Sequence, residues 1–146
     1  MKKKILIVLF LLGACGYQPI HINKEDTYFK KITLLGEREI NRKIISLMNI
    51  KKDPSTIKNS EIIFTSSTNT LTTSKDSRGR DKTFRTTVTI KLTQLIDEKV
   101  IKERTFTESF SYQNIDNKYD LFIYQNNIED NLVNKIIDNL NIFLKT

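Results

Sequence analysis

The sequence predicts an α+β fold in which two helices pack on one face of a four-stranded, mostly antiparallel sheet, in the order β-α-β-β-β-α. Changes in hydrophobic period indicate this order. Apolar residues recur with helical spacing in residues 37–48 and 120–144, and with a period of two in residues 61–112. The chain has 146 residues, of which 38% are hydrophobic, which is enough for one core. We therefore predict a single domain spanning residues 27–146.

The first strand and the first helix are predicted between residues 27 and 48. Residues 27–35 are rich in β-branched and aromatic side chains, and Gly36 ends this run. The next apolar residues share one helical face: Ile40, Ile44, Leu47 and Met48. We expect this helix to end before Pro54, because the residue preceding a proline avoids helical geometry.

Residues 61–112 are predicted to form three antiparallel strands joined by short turns. The middle strand alternates most regularly, with one side expected to be buried: Phe84, Thr86, Val88, Ile90 and Leu92. In the strand of residues 61–73, the first half is apolar and should pack, whereas the second half is mostly Thr and Ser and should project.

The third strand of this set, residues 99–112, is expected at an edge of the sheet, because charged residues interrupt its apolar face. The apolar residues expected on that face are Val100, Phe106, Phe110 and Tyr112. Asp97 and Glu98 must make the preceding turn without glycine, so periodicity does not fix the register there.

The terminal helix carries a broad apolar stripe opposite a face rich in asparagine. The stripe consists of Ile128, Leu132, Val133, Ile136, Ile137, Leu140, Phe143 and Leu144. Asparagine is a poor helix former, so burial of the stripe should stabilise the helix. A membrane-surface helix is disfavoured because Lys135 and Lys145 are its only cations. Since neither helix is expected to leave a second apolar stripe unpaired, we predict a monomer.

Composition excludes most kinds of catalytic site. A zinc site and a Cys/His or Ser/His/Asp arrangement each need several such groups to converge, and the chain has one cysteine and one histidine. We therefore expect none of these sites. Adjacent carboxylates occur at Glu37/Glu39, Asp97/Glu98 and Glu129/Asp130, and solvated roles account for them. We expect no enzymatic activity, no metal and no cofactor.

The net charge of +7 includes three lysines of the N-terminal segment, and without them 21 basic groups face 17 acidic groups. Such a mildly basic domain suits phosphate-bearing surfaces, including lipid headgroups. No nucleic-acid-binding motif is present, so we expect no nucleic-acid partner.

The N-terminus has the organisation of a secretion signal. A basic start, residues 1–4, precedes an apolar run, residues 5–12, that is too short to span a bilayer as a helix. Leu12-Gly13-Ala14-Cys15 then resembles the lipobox of bacterial lipoproteins, in which cleavage occurs before an acylated cysteine. We predict a lipoprotein signal peptide in residues 1–14, a covalent lipid such as palmitate on Cys15, and an extended tether in residues 15–26.

Three motifs in this order resemble the LptE family of lipopolysaccharide-assembly lipoproteins. They are Cys15-Gly16-Tyr17-Gln18-Pro19, the strand end Phe110-Ser111-Tyr112-Gln113, and the striped helix segment of residues 129–137. The sequence departs from the family in its short turn at Asp97-Glu98 and in the asparagines of the last helix.

The resemblance implies an outer-membrane lipoprotein of the lipopolysaccharide translocon, anchored by its lipid and facing the periplasm. Such proteins lie in the lumen of the LptD β-barrel, act as its plug and assembly partner, and contact lipopolysaccharide on its way to the outer leaflet. Outside that complex, we expect this protein to be a monomer. Gly16, rather than Asp, after the cysteine is similar to the pattern of lipoproteins that reach the outer membrane.

A cationic hairpin is the candidate lipopolysaccharide contact. Its basic residues surround Gly79 in the projecting part of the sheet: Lys75, Arg78, Arg80, Lys82 and Arg85. Arginine can hold phosphate oxygens with two hydrogen bonds. A charged, solvated turn is the alternative interpretation of this segment.

A generic periplasm-facing lipoprotein that carries lipid or contacts peptidoglycan is the alternative function. A lipid carrier should form an apolar cavity on the uncovered face of the sheet. Threonines Thr87, Thr89 and Thr93 on that face disfavour such a pocket.

Overall fold

The computed structural model describes residues 26–56 and 59–145. The predicted signal peptide and Cys15 lie outside the described residues, as does the predicted tether except for Asp26. The elements are β1 (Thr27–Phe29), β2 (Lys31–Gly36), α1 (Arg38–Met48), β3 (Ile50–Lys52), β4 (Ser60–Lys75), β5 (Asp81–Ile96), β6 (Lys99–Gln113) and α2 (Lys118–Lys145).

The main sheet has four strands in the order β2-β4-β5-β6, and both helices cover the same face of it. Strand β2 pairs parallel with β4, whereas β4, β5 and β6 form an antiparallel meander. Side chains of both helices and of β4 and β5 form one buried cluster that includes Ile44, Phe64, Ile90 and Val133. The predicted α+β class and element order are confirmed.

The segment predicted as one strand, residues 27–35, is divided at Lys30 into β1 and β2. Strand β1 pairs parallel with β3, which periodicity did not reveal because each has only three residues.

Helix α1 ends at Met48, earlier than Pro54 requires, since Asn49 directly after it adopts a left-handed conformation with φ of 50°. Asparagine is one of the residues that tolerate this helix-ending conformation. The predicted end of the helix before Pro54 is confirmed, and Asn49 is the residue that caps it.

The β5–β6 turn lies where it was predicted, at Asp97 and Glu98, and both have positive φ values of 49° and 64°. These values match a two-residue primed turn. A bulge follows, because Val100 pairs with Leu95 while Lys102 pairs with Gln94. The extra residue turns Val100 to the uncovered face, where 55% of it is exposed. The prediction that Val100 shares the buried face with Phe106 is therefore wrong.

A short polar network joins α1 to the sheet. The Asn41 side-chain amide donates a hydrogen bond of 3.2 Å to the Leu35 carbonyl and accepts one of 2.9 Å from the Ser66 hydroxyl. Both Asn41 and Ser66 are buried, where polar groups without partners would be costly. The β2–α1 corner is thereby fixed over β4.

The terminal helix has the predicted apolar stripe, with Val133 and Ile136 fully buried. Neither helix of residues 26–56 and 59–145 combines the length and hydropathy that a membrane crossing requires.

Candidate functional site

The β4–β5 hairpin extends beyond the part of the sheet that the helices cover. Residues 69–75 of β4 are exposed, whereas Ile62 and Phe64 at the start of the strand are fully buried. Hydroxyl pairs join the two projecting strands, at 2.8 Å between Thr70 and Thr86 and at 2.7 Å between Thr73 and Thr83. The prediction that the second half of β4 projects is confirmed.

Asp76 organises the turn at the end of this hairpin. Its carboxylate accepts hydrogen bonds from the backbone N–H of Arg80 at 2.9 Å and of Arg78 at 2.8 Å, and from the Arg80 guanidinium at 2.8 Å. These hydrogen bonds, the backbone one from Arg80 first, hold the pKa of the Asp76 carboxyl below its usual value. Gly79 completes the turn with a φ of 78°, a conformation that glycine adopts readily.

The structure brings the predicted cations to one hairpin but gives them different roles. The Arg80 guanidinium is paired with Asp76, and the Lys75 ammonium lies 4.0 Å from the Asp81 carboxylate. Arg85 lies farther along β5, where its Nε donates a hydrogen bond of 3.0 Å to Ser111.

Arg78 and Lys82 make no ion pair within the part of the chain that the structure describes, and both are exposed. These two side chains are therefore the ones free to bind an anion. The ion pairs of Arg80 and Lys75 could have been predicted, since Asp76 and Asp81 lie next to these basic residues in the sequence.

The end of β6 attaches the hairpin tip to the start of α2. The Asn114 backbone N–H donates a hydrogen bond of 2.8 Å to the Lys82 carbonyl, and its side-chain amide donates one of 2.8 Å to the Asp81 carbonyl. Three residues later, the Asn117 side chain accepts a hydrogen bond of 2.9 Å from the Tyr119 N–H and caps α2. Lys118, the first residue of α2, is an additional exposed cation.

Exposed aromatic and aliphatic residues at the start of α2 were not predicted as functional candidates. Tyr119 is 70% exposed, Phe122 is 57% exposed and Ile123 is 41% exposed. The premise of the monomer prediction, that no apolar stripe is left unpaired, is therefore wrong, while the monomer itself stays a prediction. The sequence signal was available, because these residues continue the apolar spacing of the helix toward its N-terminus.

The uncovered face of the sheet is lined by small polar side chains. Ser67 lies opposite Thr89, which lies opposite Thr107, and the two threonine hydroxyls are 3.3 Å apart. Two residues after Thr89 along β5, away from the hairpin turn, Lys91 forms an ion pair with Glu103 at 2.8 Å. This face matches the predicted hydroxyl-rich surface.

One predicted carboxylate environment differs in the structure. Glu129 was expected to be solvated, but it points toward the core side of α2, and its burial raises the pKa of its carboxyl. Its neighbour Asp130 forms an ion pair with Lys43 of α1. The described residues contain no group of three or more His, Cys, Asp or Glu side chains that could hold a metal ion.

No protein-family model matches the chain, and no curated protein matches it. Solved bacterial lipoproteins do share its fold. The chain is similar to the rare lipoprotein B of Shewanella oneidensis, with a TM-score of 0.51 and 12% identity, over 80% of this chain and 99% of that one.

It is also similar to a minor lipoprotein of Acinetobacter baumannii, with a TM-score of 0.58 and 9% identity, over 79% of this chain and 90% of that one. An uncharacterized lipoprotein B of Nitrosomonas europaea matches with a TM-score of 0.51 and 13% identity, over 90% and 94% of the two chains. Identities this low establish the fold alone, and the fold is one that bacterial lipoproteins adopt.

Proposed function

We propose that this protein is an outer-membrane lipoprotein of the lipopolysaccharide translocon, a plug and assembly partner of an LptD-like β-barrel that also contacts lipopolysaccharide. The observation that carries the proposal is the projecting hairpin, whose tip presents the unpaired cations Arg78 and Lys82. The LptE-like motifs and the lipoprotein fold support the same function. The protein has no catalytic role in this proposal and takes no cofactor besides the lipid on Cys15.

The polar surfaces of the domain support a role as a barrel plug. Wide β-barrels have polar interiors with room for a small domain. The row Ser67-Thr89-Thr107 and the exposed asparagines of α2 offer hydroxyl and amide groups to such a wall. Because threonine and serine dominate the uncovered face, it lacks the apolar lining that a lipid-carrying pocket needs.

The two ends of the molecule are suited to different tasks. We call the end of the sheet at the start of β4 the base. There the Lys30 N–H, which directly precedes β2, donates a hydrogen bond of 3.0 Å to the Ser60 carbonyl. From Ser60, the 16 residues of β4 extend about 50 Å to the hairpin tip. An anchor on Cys15 would therefore hold the base near the periplasmic leaflet, while the tip reaches toward the passing ligand.

Affinity purification tests the barrel partnership. From detergent-solubilised outer membranes, the mature protein is expected to recover a large β-barrel in stoichiometric amount, because a plug is enclosed by its partner. Band intensities and native mass spectrometry measure the ratio. Recovery of a lone monomer would contradict the plug and favour the generic lipoprotein.

Charge reversal at the hairpin tests the ligand contact. The double variant Arg78→Glu/Lys82→Glu is expected to bind purified lipopolysaccharide about tenfold or more weakly, because each charge-assisted hydrogen bond to phosphate contributes about 1.5–3 kcal/mol. Arg80 is left in place since it holds the turn through Asp76.

The matched control is Lys30→Glu/Lys52→Glu, which makes the same change of net charge with exposed lysines at the base. This variant should bind like the wild type. Equal binding by all three proteins, with unchanged circular dichroism, would remove the hairpin from the ligand site.

A further inference from the structure

Strand β6 has an open edge, because it ends the sheet order β2-β4-β5-β6 and pairs, among the described strands, with β5 alone. Natural proteins usually protect a long edge strand with prolines, bulges or charged side chains. Residues 105–113 of β6 contain no proline and one charged residue, Glu108. The bulge in the β5–β6 pairing lies outside them, near Leu95. This stretch of the edge is therefore open to another strand.

The backbone groups of this stretch point outward at alternate residues. The Asn114 N–H donates a hydrogen bond of 2.8 Å to the Lys82 carbonyl, and this pair continues the register of β5 and β6. In an antiparallel ladder, residues that bond to the neighbouring strand alternate with residues that face away from it. The residues that direct their N–H and C=O groups to the open edge are therefore the odd-numbered ones: Thr105, Thr107, Ser109 and Ser111. All four are exposed, and within the described part of the chain no backbone hydrogen bond outside the sheet pairing reaches them.

Helix α2 lies beside this edge and forms a groove with it. Two clefts lie along the groove, one of about 470 Å³ at Phe106 and one of about 210 Å³ at Phe110. The α2 residues that line them are Asn139, Ile142 and Phe143 at the first cleft and Tyr124, Ile128 and Leu132 at the second. Four residues separate Phe106 from Phe110, which is about 13 Å along a strand. Side chains at positions i and i+4 of an added strand would point to the same face and reach both clefts.

Arg104 provides a positive charge at the first cleft. Its guanidinium lies over the rings of Phe106 and Phe143, at 5.1 and 5.6 Å from their centroids. The Lys102 ammonium also lies by the Phe143 ring, 5.7 Å from its centroid. The rings contact the face of the guanidinium, so its in-plane N–H groups stay available to a carboxylate.

The carboxylates around Arg104 do not neutralise this end of the groove. Those of β6 and α2 in this part of the fold are Glu103, Glu108 and Asp138. The first two are already paired, with Lys91 and Lys135. Asp138 is exposed, and neither it nor Arg104 nor Lys102 makes an ion pair among residues 26–56 and 59–145. The two carboxylates of the β5–β6 turn lie at least six residues before Arg104, about 20 Å along the strand. Two unpaired cations thus face one unpaired carboxylate, and an anionic side chain is complementary to this end.

We propose that the β6 edge and α2 bind an extended segment of a partner polypeptide, which adds antiparallel to residues 105–113 as a fifth strand. The partner's side chain opposite Phe110 is apolar and fills the second cleft, and its side chain opposite Phe106 is acidic and binds Arg104. Glu108 and Lys135 occupy the groove between the clefts, so a small polar side chain faces them. In such strand addition, main-chain hydrogen bonds give affinity and the pockets give specificity. This inference goes beyond the proposed function, because it concerns a polypeptide and a surface other than the hairpin tip.

A second copy of the chain does not supply this pattern. In a two-fold antiparallel pairing of β6 with itself, the outward-facing odd residues must lie opposite one another. The register that places Glu108 opposite Phe106 then places Arg104 opposite Phe110, so the apolar cleft would receive a guanidinium.

A blocked synthetic peptide tests the strand addition. It carries leucine at one position, glutamate four residues later and threonine at every other position, and it is about as long as residues 105–113. In the mature protein saturated with this peptide, the N–H groups of Thr107 and Ser109 should exchange with solvent at least about tenfold more slowly than in the free protein. The N–H groups of Phe106 and Phe110, which bond to β5, should be slow in both states. Hydrogen exchange followed by NMR measures all four.

Two variants separate the backbone contact from the side-chain contact. Thr107→Pro removes one outward N–H at an edge position, where proline is tolerated, and should bind the peptide at least about tenfold more weakly. Its matched control, Thr107→Val, keeps the N–H and should bind like the wild type. Arg104→Gln should bind the glutamate peptide about tenfold more weakly, and should bind a peptide with glutamine in its place like the wild type. Fluorescence anisotropy measures binding, and circular dichroism checks the fold.

The outcomes decide the inference without involving lipopolysaccharide. No peptide binding by the wild type, unchanged exchange of Thr107 and Ser109, or equal binding by Thr107→Pro and Thr107→Val would overturn strand addition. Unchanged binding of the glutamate peptide by Arg104→Gln would overturn the acidic partner. A wild-type dimer in sedimentation that Thr107→Pro dissociates would identify a second copy as the occupant instead. The proposed function is tested separately, by Arg78→Glu/Lys82→Glu.

Discussion

The Gly36→Ala variant is expected to lose about 3 kcal/mol or more of its free energy of unfolding. Gly36 has a φ of 88°, and a β-carbon added there would lie 1.8 Å from the carbonyl oxygen of Ser66. That oxygen belongs to the paired backbone of β4 and also accepts a hydrogen bond of 3.3 Å from the Glu37 N–H. The neighbour that must move is therefore backbone, and moving it disrupts the β2–α1 corner.

Urea unfolding followed by circular dichroism measures the loss, and Gly79→Ala is the matched control. Gly79 has a similar φ of 78°, but a β-carbon there meets no atom within 4 Å. Its substitution should cost only the conformational penalty of about 1 kcal/mol. Equal losses for the two variants would show that the close approach to Ser66 has no energetic consequence.

Residue periodicity was sufficient for the order of elements because each long element buries one face. The period of two in β5 and the helical spacing in α2 are consequences of that burial. The periods carry no information where an element is too short to repeat, as in β1 and β3. They also fail across the bulge near Leu95, where one extra residue in β6 reverses the direction of Val100.

Gly36 illustrates the same limit at a single residue. Its position after an apolar run predicted the end of a strand, and β2 does end there. The close approach to Ser66, 30 residues away in the sequence, comes from the parallel pairing of β2 with β4. Local patterns cannot express a requirement that a distant strand imposes.

The sequence predicted which basic residues gather at the candidate site, but not which of them form ion pairs. The basic residues do gather at one hairpin, because a two-stranded projection brings both sides of its turn together. Which of them stay unpaired depends on Asp76 and Asp81, whose contacts with Arg80 and Lys75 require the folded turn.

Replacing Cys15 with serine is expected to leave the protein as an uncut, unlipidated precursor that is absent from the outer-membrane fraction, because cleavage and acylation both require the cysteine. Each methylene group that is buried in the bilayer stabilises the bound state by about 0.8 kcal/mol. One acyl chain therefore gives only marginal membrane binding, whereas several chains anchor a protein almost irreversibly. Cys15 is the only cysteine of the chain, so no other thiol could take the lipid. Fractionation with an alkaline wash, together with mass spectrometry of the intact protein, measures both the location and the modification.

The control for this variant restores a thiol outside the lipobox, as Cys15→Ser/Ser77→Cys, with the new cysteine in the exposed hairpin turn. It should stay uncut and unlipidated and be absent from the outer-membrane fraction like the single variant, since the peptidase and acyl transferases require the cysteine after the apolar run. An uncut wild-type precursor with a free thiol would contradict the anchor. The base of the domain would then have no fixed place at the bilayer, and the hairpin about 50 Å away would have no defined direction in which to present Arg78 and Lys82.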